Sequence, residues 1–120
     1  MKKTGYQPKD PQRFLAHKPK NNQFYHPVVC VSQIDAMEYA KWIGGRLPLD
    51  EEWQYIAAGP NYYEWPWGDK FNPSYCNHDG NSLRSVNSYK KGSSWCGCED
   101  MCGNAWEWTS GIHDDGQHQF

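Results

Sequence analysis

The chain lacks long apolar runs. None of its 120 residues belongs to a stretch approaching the roughly 18 apolar residues that a membrane-spanning helix needs, and its mean hydropathy is -0.98. It also lacks net charge of either sign. A balance of -2 and a pI near 6.2 give no electrostatic case for a nucleic-acid partner. Behind Met1-Lys2-Lys3 no apolar segment follows, so no secretory signal peptide starts there, and a cytoplasmic location is expected if Met1 is the native start. The common catalytic signatures are missing too: no Gly-x-Gly-x-x-Gly, P-loop, Gly-x-Ser-x-Gly or His-Glu-x-x-His, and no internal repeat. The five histidines, His17, His26, His78, His113 and His118, have no ligand-like spacing, and surface positions are expected for them.

Paired cysteines are lacking as well. There are five, Cys30, Cys76, Cys96, Cys98 and Cys102, and an odd number argues against a fully paired disulfide framework. Cys96-Gly97-Cys98 with Cys102 is the one cluster. Structural zinc usually takes two C-x2–4-C pairs or a Cys/His set, and no second pair exists here. Reduced, partly buried thiols are expected. A Cys98–Cys102 or Cys96–Cys102 disulfide is the alternative.

What the chain does have is aromatic and turn-forming residues. Aromatics make up 16%, with seven Trp and eight Tyr, so the core is expected to lean on rings rather than on aliphatic side chains. Eleven Gly and eight Pro require many turns and irregular loops. The length suits one domain. Residues 1–26 are basic, with Lys2, Lys3, Lys9, Arg13, Lys18 and Lys20, and are interrupted by Pro8, Pro11 and Pro19. They are expected to form an extended approach segment. Residues 27–60 are expected to hold a strand and two helices. His26-Pro27-Val28-Val29-Cys30-Val31 suits the buried strand. Ser32-Gln33-Ile34-Asp35 forms a capping-box start with Asp in place of Glu. From it a helix runs to Gly44-Gly45, with Ile34, Ala36, Met37, Tyr39, Ala40 and Ile43 as its apolar stripe and Asp35 outside that stripe. A second helix, Asp50 to Ala58, begins with Asp50, Glu51 and Glu52, buries Trp53, Ile56 and Ala57, and stops at Gly59-Pro60.

Residues 61–120 are expected to be an aromatic loop region with a calcium-type turn; within it residues 61–99 alternate aromatics with turn formers and predict a long pinned loop with at most short strands. Asn77, Asp79 and Asn81 alternate as in a calcium loop. The glycine is misplaced for an EF-hand, however, and Ser88 stands where its twelfth-position Glu belongs. The most informative stretch is Asp100-Met-Cys-Gly-Asn-Ala-Trp-Glu-Trp-Thr109, in which two carboxylates flank a Gly-Asn turn. Two readings fit it. The carboxylates and inward carbonyls hold a hard cation, or Asp100 and Glu107 cap a turn while the indoles fill core.

Six motifs in order resemble the formylglycine-generating enzyme, or sulfatase-modifying factor, family. They are His26-Pro-Val-Val-x-Val-Ser32, Asp35-Ala-x-x-Tyr-Ala-x-Trp42, Gly45-Arg-Leu-Pro48, Glu52-Trp-x-Tyr55, Trp65-Pro-Trp-Gly-Asp69 and the Asp100–Thr109 run. The resemblance covers about residues 5–120. It implies an α+β, loop-rich fold related to C-type lectin domains, with two helices and short strands, incomplete here. It also implies structural calcium, with one site on the Asp100 side chain, the Gly103 and Ala105 carbonyls and Glu107. Another site would begin at Asn77 with backbone between Tyr75 and Gly80. Leu49 departs from the family, which often has a capping Thr there; Leu has no acceptor, and Asp50 is expected to take over.

Catalytic members of the family oxidise a protein or peptide cysteine to formylglycine with oxygen. They use two cysteines that bind Cu(I) and follow an Arg-Gly-Gly-Ser segment. That segment would fall beyond Phe120, so the chain is expected to be an internal piece, inactive alone, lacking the cysteine pair and the family's first strand and helix. Cys96, Cys98 and Cys102 do not stand in for the pair. Copper is expected only in a full-length catalytic member. The competing expectation is a non-catalytic binding or scaffold module for protein, peptide or glycan on the same fold. A third is an inactive piece with uncovered apolar surface.

Overall fold

The computed structural model describes residues 9–16 and 24–111, without the side chains of residues 13, 14 and 16. His17, Lys18, Pro19, Lys20, His113, His118 and the first eight residues lie outside the described residues. Three helices form: α1 (Pro11–Ala16), α2 (Gln33–Trp42) and α3 (Asp50–Ala58). Two 3-10 turns follow at Pro73–Tyr75 and Lys90–Gly92. Within the approach segment expected to be extended, residues 11–16 form α1 instead, which begins at Pro11, where a missing N–H costs nothing and φ is already helical.

Local chemistry explains both ends of α2. Ser32 Oγ accepts from Asp35 N at 3.1 Å and Asp35 Oδ2 accepts from Ser32 N at 2.8 Å, which closes the expected capping box. At the other end Gly44 turns left-handed (φ 85°), and the Gly44 and Gly45 amides take the Lys41 and Ala40 carbonyls, a Schellman close. The expected buried stripe is met only in part: Ala40 is buried and Ala36 half-buried. Asp35 is only 2% exposed, whereas Ile34, Met37, Tyr39 and Ile43 are exposed. The reason is the cap itself. The Asp35 carboxylate also accepts from Lys9 N at 3.0 Å, and this draws it inside with Ala40.

The start of α3 is held from within. Leu49 offers no acceptor, and Glu52 Oε1 reaches back to Leu49 N at 2.8 Å. Glu52 also forms a two-pronged pair with Arg46 at 2.7 and 3.0 Å. The hydrogen bonds from Arg46 and the Leu49 amide hold its carboxyl down at about 2. The pair is exposed, so its contribution to stability is small. Asp50 accepts from the buried Thr109 hydroxyl, which ties α3 to the far end of the chain. Trp53 is buried on the expected face, and Gly59 (φ 77°) ends the helix beneath the Trp95 ring.

No strand forms among the described residues; a lone antiparallel bridge joins Trp65 and Gly68. The α+β expectation is therefore met in its helices and not in its strands. At the expected strand 27–31 a side chain takes the backbone bond, because Trp108 Nε1 donates to the Val31 carbonyl at 2.9 Å. Residues 61–99 are pinned by rings. Trp65 and Trp67 stack at 6.0 Å, Phe71 packs on Trp65 at 4.7 Å, and Trp67 meets Tyr75 edge-on at 5.5 Å. Among the described residues a ring-filled core is not found: the buried side chains include Ala40, Trp53, Cys76 and Met101, beside Asp35, Asn77, Ser94 and Thr109. Trp42, Trp95 and Trp106 are about half exposed.

A core this polar depends on satisfied hydrogen bonds. Asp35→Ala strands two backbone N–H groups and removes a cap, and should cost about 2–3 kcal/mol. Urea unfolding checks it, and Asp35→Asn should recover part of the loss.

Candidate metal centre

The Asp100–Glu107 turn is built from backbone conformations that few residues tolerate. Asp100 (φ 55°), Gly103 (φ 83°) and Asn104 (φ 67°) are all left-handed. At Gly103 a Cβ would run into the Asn77 carbonyl, so only glycine allows the two backbones this close. Asn104 then latches the loops. Its amide donates to the Asn77 carbonyl at 3.0 Å. Its side-chain oxygen accepts from Arg84 N at 2.9 Å and Asn77 Nδ2 at 3.1 Å. Its side-chain nitrogen donates to the Arg84 carbonyl at 3.1 Å and, at 3.4 Å, to Asp100 Oδ2.

The turn closes around a hollow of about 10 Å³ lined by Trp53, Asp100, Met101, Gly103, Ala105, Trp106 and Glu107. That is about the room one water or one ion occupies. The four ligands expected of this site, Asp100, Gly103, Ala105 and Glu107, therefore line one hollow. Asn77, expected to begin a separate site, lies apart from that hollow. It is buried beneath the turn, with its side-chain nitrogen on the Ser82 carbonyl at 2.7 Å and on Asn104. Two participants escaped sequence reading. Trp53 Nε1 donates to Glu107 Oε2 at 3.0 Å from 54 residues away, and only the fold reveals it. Asn104 had a signal, since Gly-Asn marks a turn, but its latching role did not.

The electrostatics of the hollow are one-sided. Burial pushes the Asp100 carboxyl up; the Asn104 amide opposes this and the Glu99 charge adds to it. Burial also pushes Glu107 up; the Trp53 bond opposes it and the Asp100 charge adds to it. No basic side chain figures among these causes. Asp100 Oδ1 and Glu99 Oε1 are buried without a hydrogen-bond partner. An orphaned buried carboxylate oxygen carries a desolvation penalty that a cation would relieve. The residues present fit a hard, oxygen-seeking ion. Among the described residues no three His, Cys, Asp or Glu side chains gather as a metal cluster, so carbonyls and water must complete the shell of six to eight oxygens that calcium takes.

Residues 1–119 match the family model described as Sulfatase-modifying factor enzyme 1-like domain, and the chain belongs to that family. Among its relatives, hercynine oxygenase of Mycobacterium tuberculosis is 40% identical over 91 residues, 70% of this chain and 21% of that protein. Formylglycine-generating enzyme of Bos taurus is 33% identical over 118 residues, 86% of this chain and 30% of that protein. The Bos taurus protein named inactive C-alpha-formylglycine-generating enzyme 2 is 38% identical over 98 residues, 70% of this chain and 32% of that protein. The chain thus spans between a fifth and a third of the length of these relatives.

The raised carboxyls set the sign of a pH effect. A carboxyl whose folded pKa lies above its unfolded value binds its proton more tightly when folded. The metal-free protein should therefore lose stability as pH rises above the ordinary carboxylate range through the raised values. Glu52 acts oppositely, its contribution being lost as pH falls from 4.5 towards about 2. Thermal melts in chelator should show the loss in wild type and a flatter profile in Glu107→Gln. Equal slopes in the two proteins would contradict this assignment.

Proposed function

We propose that this segment is the calcium-bearing scaffold of an oxygen-using domain of the sulfatase-modifying factor family. In the whole protein that domain oxidises a protein or peptide cysteine to formylglycine. The observation that carries the calcium part is the partnerless Asp100 Oδ1 at a single-ion hollow that Glu107, Gly103 and Ala105 share. Asp100 and Glu107 supply charge, Gly103 and Ala105 supply carbonyls, and Trp53 orients Glu107. A bound calcium would neutralise the paired acids and fix the turn; its role is structural.

We place no copper on the cysteines of this segment. Cu(I) takes two soft thiolates. Burial pushes up both Cys76 and Cys102, an environment for protonated thiols. No step is assigned to them or to the Cys96–Cys98 pair, since none of these cysteines follows an Arg-Gly-Gly-Ser segment.

A second reading is favoured by one comparison: this same region is shared with a relative named inactive as well as with one named formylglycine-generating. On that reading the fold serves as a binding or scaffold module for a protein, peptide or glycan. Both readings keep the cation turn.

Calcium at 100 times its dissociation constant should stabilise the protein by about 2.7 kcal/mol. A rise in melting temperature over chelator reads this out, and Glu107→Gln should shrink it. The purified 120-residue chain should not turn over a Cys-x-Pro-x-Arg peptide. Mass spectrometry of the peptide checks this, loss of the thiol with gain of an aldehyde being the contrary result.

A further inference from the structure

All five cysteines are free thiols, yet four of them stand in two close pairs. Cys96 and Cys98 gather at Ser94, whose hydroxyl lies 3.5 Å from Cys96 Sγ and accepts from Cys98 N at 3.3 Å. Sequence spacing points Cys102 towards this group. The fold turns it the other way: Cys102 lies beside Cys76, 26 positions earlier, close enough for the two thiols to act on each other electrostatically. The backbone just beyond the two cysteines holds them near each other. Gly103, next to Cys102, lies directly on the carbonyl of Asn77, next to Cys76, and Asn104 N is bonded to that carbonyl at 3.0 Å. Two chain segments are thereby fixed against each other, with Cys76 in one and Cys102 in the other.

We propose that Cys76 and Cys102 are a disulfide-forming pair, a covalent clamp that locks the Asn77 segment onto the Asp100–Glu107 turn when a small-molecule disulfide such as oxidised glutathione is present. The order of events follows from exposure. Cys102 is half-buried, while Cys76 is only 3% exposed. The Cys102 thiolate attacks one sulfur of the oxidant, the oxidant's S–S bond breaks, and one glutathione thiolate leaves. Cys76 gives its proton to solvent, attacks the Cys102 sulfur and expels the second glutathione thiolate. Two protein thiols become one disulfide and one oxidised glutathione becomes two reduced ones, so two electrons pass from protein to oxidant. Cys76, being buried, does not meet the oxidant first, and the adjoining mixed disulfide is the partner it can reach. The clamp closes a loop with 25 residues between its ends, long enough to cut the freedom of the unfolded chain appreciably. It does not depend on a cation in the turn.

The test uses the 120-residue chain and a Cys96→Ser/Cys98→Ser double variant, which retains Cys30, Cys76 and Cys102. Each is equilibrated natively in glutathione buffers of rising oxidised fraction, then alkylated and digested with trypsin. In the double variant two of the three thiols should become unreactive. The Phe71–Arg84 peptide should appear joined to the Gly92–Phe120 peptide, and melting temperature should rise by roughly 5 °C. In wild type the same two peptides should be joined, and Cys76→Ser should abolish the join while leaving the chain folded by circular dichroism. Full alkylation of Cys76 and Cys102 in the most oxidising buffer would overturn the proposal. So would a wild-type bond between Cys96 and Cys98 alone, or a 76–102 bond that forms only in urea.

Discussion

The approach of Gly103 to the carbonyl of Asn77 is the constraint on which the rest of the site depends. It brings two loops within backbone hydrogen-bonding distance and lets Asn104 bridge Asn77 and Arg84. It thereby sets the curvature that faces Asp100 and Glu107 into one hollow. A methyl group at residue 103 would push the turn off its seat, and the left-handed conformations on either side would lose what over-determines them. The local strain and the local charge repulsion are thus held by the same few hydrogen bonds.

The wider structure follows the same economy. With no ladder among the described residues, backbone groups are satisfied one by one by side chains: the Val31 carbonyl by Trp108, the Tyr55 carbonyl by Trp95, the Lys70 carbonyl by Trp67. These indoles work as long-range donors as much as apolar mass, which is why several lie half exposed instead of filling a core. Gln33 acts likewise, donating to the carbonyls of Thr109 and Gly111 at 2.7 and 2.9 Å and so fastening α2 to the segment that follows the Asp100–Glu107 turn.

Features decided within a few residues were legible in the sequence. The capping box of Ser32 and Asp35, the glycines closing α2, and the full extent of α3 are matters of neighbouring side chains and backbone. So is the grouping of Asp100, Gly103, Ala105 and Glu107, which lie within eight positions of one another. Features decided across the chain were not legible. Periodicity put Asp35 outside because acids usually are, and it could not register Lys9 N as a partner. It made 27–31 a strand because the residues suit one, without a neighbour to pair with. Spacing linked Cys102 to Cys98 because nothing in a linear pattern brings Cys76 near.

The indole of Trp53 has one further consequence. Its N–H proton lies on Glu107 Oε2, so whatever happens to that carboxylate alters the shielding of a single nucleus. In a nitrogen–proton correlation spectrum each of the seven tryptophans contributes its own indole resonance, well separated from the backbone amides. The molecule therefore carries a built-in spectroscopic gauge for the turn, one peak whose position follows protonation or ion occupancy without any label attached to the site.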